Sequence, residues 1–113
     1  MTKKDFDELF LEAVDDALSS LGDSARQAIY FHLASKCRLE KESIPKNLEE
    51  FEGGLERIFG VGAQYIEILI MKRLHEKVGE PLETEGTKDL VFADYVNAAK
   101  QSYVKKKVAS GKA

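Results

Sequence analysis

The sequence predicts an all-α fold, a compact single-domain bundle of about five helices. Apolar residues recur at intervals of three and four along most of the chain, which is the spacing of an amphipathic helix. No segment shows the strict alternation of a half-buried strand. With 113 residues and 43% hydrophobic residues, the chain is long enough for one apolar core without disulfides or metal.

The first helix is predicted to begin within the first few residues, where Thr2 and Asp5 resemble a capping box. Gly22 suits the left-handed position that ends a helix. The apolar stripe between these points consists of Phe6, Leu9, Phe10, Ala13, Val14, Ala17, Leu18 and Leu21.

Asp23 is predicted to cap a second helix, which extends to about Cys37. The helical period then disappears, and Pro45 disfavours a helical conformation at Ile44. We therefore expect a loop over residues 38–46, held by Leu39 and Ile44. The predicted buried face of the second helix contains Ala25, Ala28, Ile29, Leu33 and Cys37, widened by Tyr30 and Phe31.

A third helix is predicted to start at Asn47, which forms a capping box with Glu50. Gly53 and Gly54 inside this helix cost about 1 kcal/mol each relative to alanine, so a close helix crossing is expected to compensate. The inward residues are Leu48, Phe51, Leu55, Ile58 and Phe59.

The fourth helix follows the Gly60-Val61-Gly62 break and is predicted to be the central helix of the bundle, near residues 61–78. Its middle is apolar on most faces, which is typical of a buried helix. We expect Leu69 and Ile70 to be buried. Gly79 and Pro81 then provide the signals that end a helix.

The domain organisation follows from these elements. Residues 1–79 form a four-helix core module, residues 80–86 a linker, and residues 87–108 a C-terminal helix capped by Thr87. Residues 109–113 are predicted to be a disordered tail.

The C-terminal helix carries an apolar stripe that we predict to be an interface. Phe92, Val96, Ala99 and Tyr103 follow one another at intervals of four, three and four residues. The stripe packs either on the core of its own chain or on a neighbouring chain, because the linker allows exchange.

Charge is distributed unevenly along the chain. Residues 100–113 carry five lysines and no acidic residue, whereas residues 1–99 carry 12 basic and 20 acidic side chains, a net charge of −8. The acidic body repels phosphate backbones. Lys105, Lys106 and Lys107 are candidate nucleic-acid contacts, or cations that match the dipole at the end of a helix.

The sequence predicts neither catalysis nor a cofactor. Cys37 is the single cysteine, and His32 lies about 140° away from it around a helix. With His75 distant in sequence, no metal-ligand spacing is present. Solvation and interaction with the helix dipole explain the adjacent carboxylates Asp15 and Asp16. We find no phosphate-binding loop and no serine nucleophile motif.

The compartment is predicted to be the cytoplasm. A lone cysteine fits a reducing environment, and the N-terminus shows no signal peptide. The longest apolar stretch, around residues 65–71, contains Glu67 and is too short to cross a membrane.

Gly60, Val61 and Gly62 resemble the hairpin turn of the helix-hairpin-helix family. The resemblance implies that backbone N–H groups approach a DNA phosphate at a helix N-terminus. Gly60 and Gly62 would adopt unusual dihedral angles and Val61 would anchor the turn. Alternatively, the three residues are a tight connection in which Gly60 ends one helix and Gly62 permits close packing at the start of the next.

A longer part of the chain resembles the small archaeal Nitrososphaera output domain family. The resemblance lies in residues 18–33, in Ile44-Pro45, in residues 51–63 and in the apolar helix that ends near Leu74. It spans about residues 12–79. It implies an archaeal source and a helical module found alone or attached to signalling proteins, and it transfers no catalytic residue.

Together these features predict a non-enzymatic cytoplasmic interaction or regulatory module of archaeal type, with a protein partner or self-association. The alternative is a nucleic-acid-binding protein that uses the glycine turn or the basic C-terminal tail. A third alternative is a small-ligand sensor with a pocket beside the central helix. An exposed apolar patch would favour the first function, and a basic surface around the turn the second.

Overall fold

The computed structural model describes residues 5–78 and 92–111, with the side chains of the second range described as far as Val104. These residues form five α-helices and contain no strand, which confirms the predicted all-α bundle. Short 3-10 helices at Lys41–Lys46 and Gly60–Gly62 connect the second helix to the third and the third to the fourth. The helices are α1 (Phe6–Ser19), α2 (Asp23–Lys36), α3 (Leu48–Phe59), α4 (Ala63–Val78) and α5 (Phe92–Gly111).

Helix α4 is the central helix, as predicted, because it packs on α1, α3 and α5. Ile70 is fully buried, but the expected burial of Leu69 is wrong, since Leu69 is only partly buried at the edge of the core. Tyr65 and Ile68 are exposed, so α4 has one open face rather than a buried surface all round. The buried face consists of Ala63, Ile66, Ile70, Leu74 and Val78.

The helix N-termini differ from the predicted caps. Asp5 caps α1 in a capping box with Glu8, with N···O distances of 2.9 and 3.2 Å, and Thr2 lies outside the described residues. Gly22, at φ +109°, precedes α2, so Asp23 is its first residue rather than its cap. The predicted capping box at Asn47 is wrong, because its side-chain amide donates to the carbonyl oxygen of Ser43.

The second helix buries less than its sequence suggests. Phe31 is 73% exposed and Ala28 is also exposed, so their predicted burial is wrong, whereas Tyr30 and Cys37 are partly buried against the core. The reason is that α2 lies at the side of the bundle, where it packs on α1 and α3 through Ile29 and Leu33.

The segment after α2 is more regular than the predicted loop. Lys41–Lys46 forms a 3-10 helix, whose tighter winding accommodates Pro45. Leu39 and Ile44 are buried, as predicted, and hold this segment against the core.

Gly54 makes the close helix crossing that the sequence predicts. A Cβ atom at Gly54 would collide with Cδ2 of Leu33 in α2 and would lie 3.3 Å from the sulfur of Cys37. Gly53 has open space around it. The crossing therefore requires glycine at Gly54 but not at Gly53.

Helix α5 packs on α1, α3 and α4 of the same chain. Phe92, Val96 and Ala99 are buried, and Tyr103 contacts the ring of Phe6 at a centroid distance of 6.2 Å. The helix extends to Gly111, beyond its predicted end at residue 108 and into the predicted disordered tail. Thr87 and the predicted linker lie outside the described residues.

Candidate functional site

The Gly60–Gly62 turn matches only part of a helix-hairpin-helix geometry. Gly60 ends α3 at φ +59°, a left-handed conformation that favours glycine. Gly62 has no positive φ, and a Cβ atom there would meet Phe59 Cβ at an ordinary 3.7 Å. Val61 is 99% exposed. The expectations that Gly62 needs an unusual dihedral angle or close packing, and that Val61 anchors the turn, are wrong.

Instead, the turn begins an exposed apolar surface. Tyr65 and Ile68 are three residues apart and share one face of α4, and Val61 lies in the 3-10 turn that leads directly into this helix. The exposed fractions of Val61, Tyr65 and Ile68 are 99%, 61% and 46%. We call these three residues the apolar stripe. Contiguous exposed apolar residues are typical of docking surfaces, whereas isolated ones need no explanation.

A second feature is a group of carboxylates where α3, α4 and α5 meet. Glu52 of α3 interacts with Glu49 and Glu56 of the same helix, and Asp94 at the start of α5 acts on it as well. Glu67 of α4 interacts with Glu52 and Glu56. We call these five residues the carboxylate cluster. In the part of the chain that the structure describes, none of them pairs with a lysine or arginine within 4 Å.

The carboxylate cluster changes the protonation of its members. Burial, followed by the charges of Glu52 and Glu56, raises the pKa of Glu67 to about 7. Burial also raises the pKa of Glu52, although a hydrogen bond from the backbone N–H of Ala93 partly opposes that shift. A pKa near 7 is also found in catalytic carboxyl groups. Here its causes are burial and like charge, and the neighbouring Glu52 is occupied as a hydrogen-bond acceptor for α5.

A third polar feature, centred on Asp15 in α1, has a structural role. Oδ1 of Asp15 accepts hydrogen bonds from Arg26 and from the Tyr30 hydroxyl, each at 3.1 Å, and lies 3.6 Å from Nζ of Lys41. Lys41 also lies over the Tyr30 ring, 5.1 Å from its centre. The network therefore ties α1 to α2 and to the 3-10 helix.

The ionisation of this network does not suit acid–base chemistry near neutral pH. Burial acts to raise the pKa of Asp15, but Lys41, the Tyr30 hydroxyl and Arg26 together lower it below its ordinary value. Burial and the nearby charge of Asp15 raise the pKa of Tyr30 well above its ordinary value. At neutral pH the carboxylate is therefore charged and the phenol neutral.

The other predicted contacts fall in different places. Lys105, Lys106 and Lys107 lie within α5, but their side chains are outside the described part of the structure. The stripe of the C-terminal helix contributes to the intramolecular core, with Phe92 between the rings of Phe10 and Phe51 at 6.2 and 6.1 Å. Because Phe92, Val96 and Ala99 of α5 are buried, they do not form an exposed patch together with the glycine turn.

A shallow groove of about 180 Å³ lies between the start of α1 and α5. Its lining residues are Asp5, Phe6, Asp7, Lys100, Tyr103 and Val104.

Cys37 is a free thiol beside the α2–α3 crossing. Among the described residues, no three His, Cys, Asp or Glu side chains are grouped to hold a metal. The described helices include none with the length and apolarity needed to cross a membrane.

Sequence reasoning missed both surface features. From sequence alone Val61 is a turn anchor and Tyr65 and Ile68 belong to a buried helix, although the three-residue spacing of Tyr65 and Ile68 already places those two on one face of α4. The spacing of Glu49, Glu52 and Glu56 likewise signals a common face of α3. No sequence signal places Glu67 and Asp94 beside them. No family model, curated protein or solved structure matches the chain.

Proposed function

We propose that this protein is a non-enzymatic interaction or regulatory module that binds a protein surface through the apolar stripe. The observation that carries the proposal is the exposure of Tyr65 and Ile68 on one face of α4, a helix otherwise central to the core, and of Val61 in the turn immediately before it. Exposed apolar surface is costly in water and is removed from water when a partner covers it.

The chemistry of the stripe favours a protein over a nucleic acid. Tyrosine provides a large apolar ring with a polar hydroxyl, which is why it is enriched at protein interfaces. Phosphate binding requires cations, and of the residues near the turn on the two flanking helices Arg57 is basic whereas Glu56 and Glu67 are acidic, so these flanks supply no net positive charge. The partner is therefore a protein surface with an apolar centre, on another protein or on a second copy of this chain.

The polar features described above support a non-enzymatic role. Asp15 and Glu52 are engaged in contacts between helices, and such contacts position secondary structure. The archaeal and cytoplasmic setting rests on the resemblance of residues 12–79 to the Nitrososphaera output domain family and on the single cysteine.

The test is site-specific photo-crosslinking in cells of the source organism. A photoreactive amino acid at Tyr65 is expected to capture a defined protein, or a second copy of the chain. The same group at Ser35, which is exposed on α2, is the matched control. Equal crosslinking from both sites, or none from Tyr65, would contradict the proposal.

Calorimetry with the purified partner then measures the contribution of the stripe. Val61→Ser and Ile68→Ser are expected to weaken binding by at least about tenfold each, because each loses the burial of an apolar side chain. Phe31→Ser, which changes an exposed apolar residue on α2, is expected to leave the affinity unchanged. Crosslinks to RNA or DNA instead of protein would support the nucleic-acid alternative.

A further inference from the structure

We propose that the docking of α5 on the bundle is pH-sensitive, with the carboxylate cluster holding α5 firmly at mildly acidic pH and loosening it above neutrality. This device is distinct from the apolar stripe, so either proposal stands if the other fails.

The contact that responds to pH is the one between α3 and the start of α5. The backbone N–H of Ala93, the second residue of α5, donates a hydrogen bond to Oε1 of Glu52 at 3.1 Å. The first N–H groups of a helix have no acceptor within the helix, and a negative charge beside them is favoured by the helix dipole. Glu52 therefore acts as a cap for α5 that is supplied by another helix.

The hydrogen bond between Ala93 and Glu52 lies next to the apolar packing that holds the start of α5 on the bundle. Phe92, which immediately precedes Ala93, is 2% exposed and packs on Phe10 of α1 and Phe51 of α3. A change at Glu52 therefore acts at the place where α5 enters the core.

Like charges surround the Glu52 cap on three helices. Glu49 and Glu56 lie on α3, Glu67 lies on α4, and Asp94 follows Ala93 on α5. The lysine and arginine side chains that the structure describes form no ion pair with this cluster, so like-charge repulsion acts between its members.

Glu67 is the member that titrates in the relevant range. Burial, then Glu52 and Glu56, raise its pKa from 4.5 to about 7. Below that pH, Glu67 binds a proton and its repulsion of Glu52 is removed. Above it, both carboxylates are charged in a partly buried place.

Release of α5 relieves this repulsion. Once the hydrogen bond to Ala93 is broken, the Glu52 side chain is free to turn towards water and away from Glu67. A raised pKa in the docked state means that protonation favours docking. The stabilisation of the docked state is present at mildly acidic pH and is lost as the pH rises through about 7.

The test is amide hydrogen exchange of the full chain at about pH 5.5 and about pH 8.5, corrected for the intrinsic pH dependence of exchange. The protection of α5 relative to α1 is expected to fall by about three- to tenfold at the higher pH. An unchanged ratio would overturn the proposal.

Two variants and a matched control make the result specific. Glu67→Gln is expected to abolish the pH dependence and to keep α5 protected at the higher pH. Glu56→Gln removes one of the charges acting on Glu67, so the midpoint is expected to move to lower pH. Glu50→Gln changes an exposed carboxylate of α3 that is not in the cluster, and it is expected to behave as the wild type. Retention of the wild-type pH dependence by Glu67→Gln would refute the proposed device.

Discussion

The two adjacent glycines of α3 have different surroundings at the scale of single residues. A Cβ atom on Gly54 would collide with Leu33, whereas a Cβ atom on Gly53 would meet nothing within 4 Å. Glycine in a helix weakens it through the entropy of the unfolded chain, but at Gly54 the missing Cβ leaves room for the side chains of Leu33 and Cys37. At Gly54 it allows α2 and α3 to cross.

We predict opposite effects of alanine at these two positions. Gly54→Ala should lower the free energy of unfolding by about 1–3 kcal/mol, because it forces apart a packed crossing. Gly53→Ala should raise it by about 0.5–1 kcal/mol, because it improves helix propensity without a clash. Urea unfolding of both variants measures the difference. Equal effects would show that the α2–α3 crossing is not tight at Gly54.

A second pair tests the assignment of the two faces of α4. Ile70 is fully buried and Ile68 is 46% exposed. Ile70→Ala should lower the free energy of unfolding by about 2–5 kcal/mol, since it removes apolar burial and leaves a cavity. Ile68→Ala should cost less than about 1 kcal/mol. Thermal or urea unfolding checks this, and a larger loss for Ile68→Ala would contradict the described orientation of α4.

At the scale of elements, side chains rather than backbone contacts determine several of the junctions. Asp15 joins α1 to α2 and to the 3-10 helix, and Lys77 at the end of α4 joins Asp16 of α1 at 2.9 Å. Glu52 joins α3 to α5. A carboxylate that accepts several hydrogen bonds is stabilised in its charged form, so its contribution to stability depends on pH.

The Asp15 junction has the opposite pH dependence to Glu67. Lys41, Tyr30 and Arg26 lower the pKa of Asp15 below its ordinary 3.8, so its stabilisation is present above that pH and is lost as the pH falls through the lowered pKa. Asp15→Asn should therefore reduce the free energy of unfolding near neutral pH by about 1 kcal/mol, allowing for partial solvent exposure.

The same substitution should have progressively less effect below about pH 4, where the wild-type carboxylate also takes up a proton. Unfolding by urea at a series of pH values measures this convergence. Glu42→Gln, at an exposed carboxylate beside Lys41 in the 3-10 helix, is the control and should change little at any pH. An Asp15→Asn variant as stable as the wild type near neutrality would show that the junction is dispensable.

At the scale of the whole molecule, the distribution of charge distinguishes protein binding from nucleic-acid binding. The net −8 of residues 1–99 opposes nucleic acid, and the five lysines of residues 100–113 attract it. The residues of the glycine turn, Gly60, Val61 and Gly62, carry no charge, and the neighbouring exposed Arg57 of α3 is offset by Glu56, so the turn region adds no net positive charge.

We predict no measurable affinity of the full chain for duplex DNA or single-stranded RNA near physiological salt. Any binding at low salt should be sequence-independent, steeply salt-dependent and lost when Lys105, Lys106 and Lys107 are all changed to Gln. Gly62→Glu should leave that weak binding unchanged. Fluorescence anisotropy with labelled oligonucleotides measures both, and tight binding that Gly62→Glu abolishes would establish the nucleic-acid alternative.

The sequence by itself determined the helices and most of the core. The three-four spacing of apolar residues identified α1, α3, α4 and α5, because burial of one face is the dominant stabilisation of an amphipathic helix. The Gly53-Gly54 pair predicts a close helix crossing, and only the structure shows that Gly54 makes it and Gly53 does not. Periodicity failed for Phe31, since an apolar residue on a helical face is buried only if another element covers that face.

Only the tertiary structure decided which polar groups meet and which apolar residues stay in water. Asp15 with Lys41, and Glu52 with Ala93, are far apart in the chain, and no local period brings them together. The predicted side-chain caps of α2 and α3 do not form. Asp23 accepts hydrogen bonds from the side chains of Arg26 and Gln27, and the Asn47 side chain donates to the carbonyl oxygen of Ser43. The apolar stripe and the carboxylate cluster are products of helix packing, which decides what each face meets, whereas the sequence decides only that the face exists.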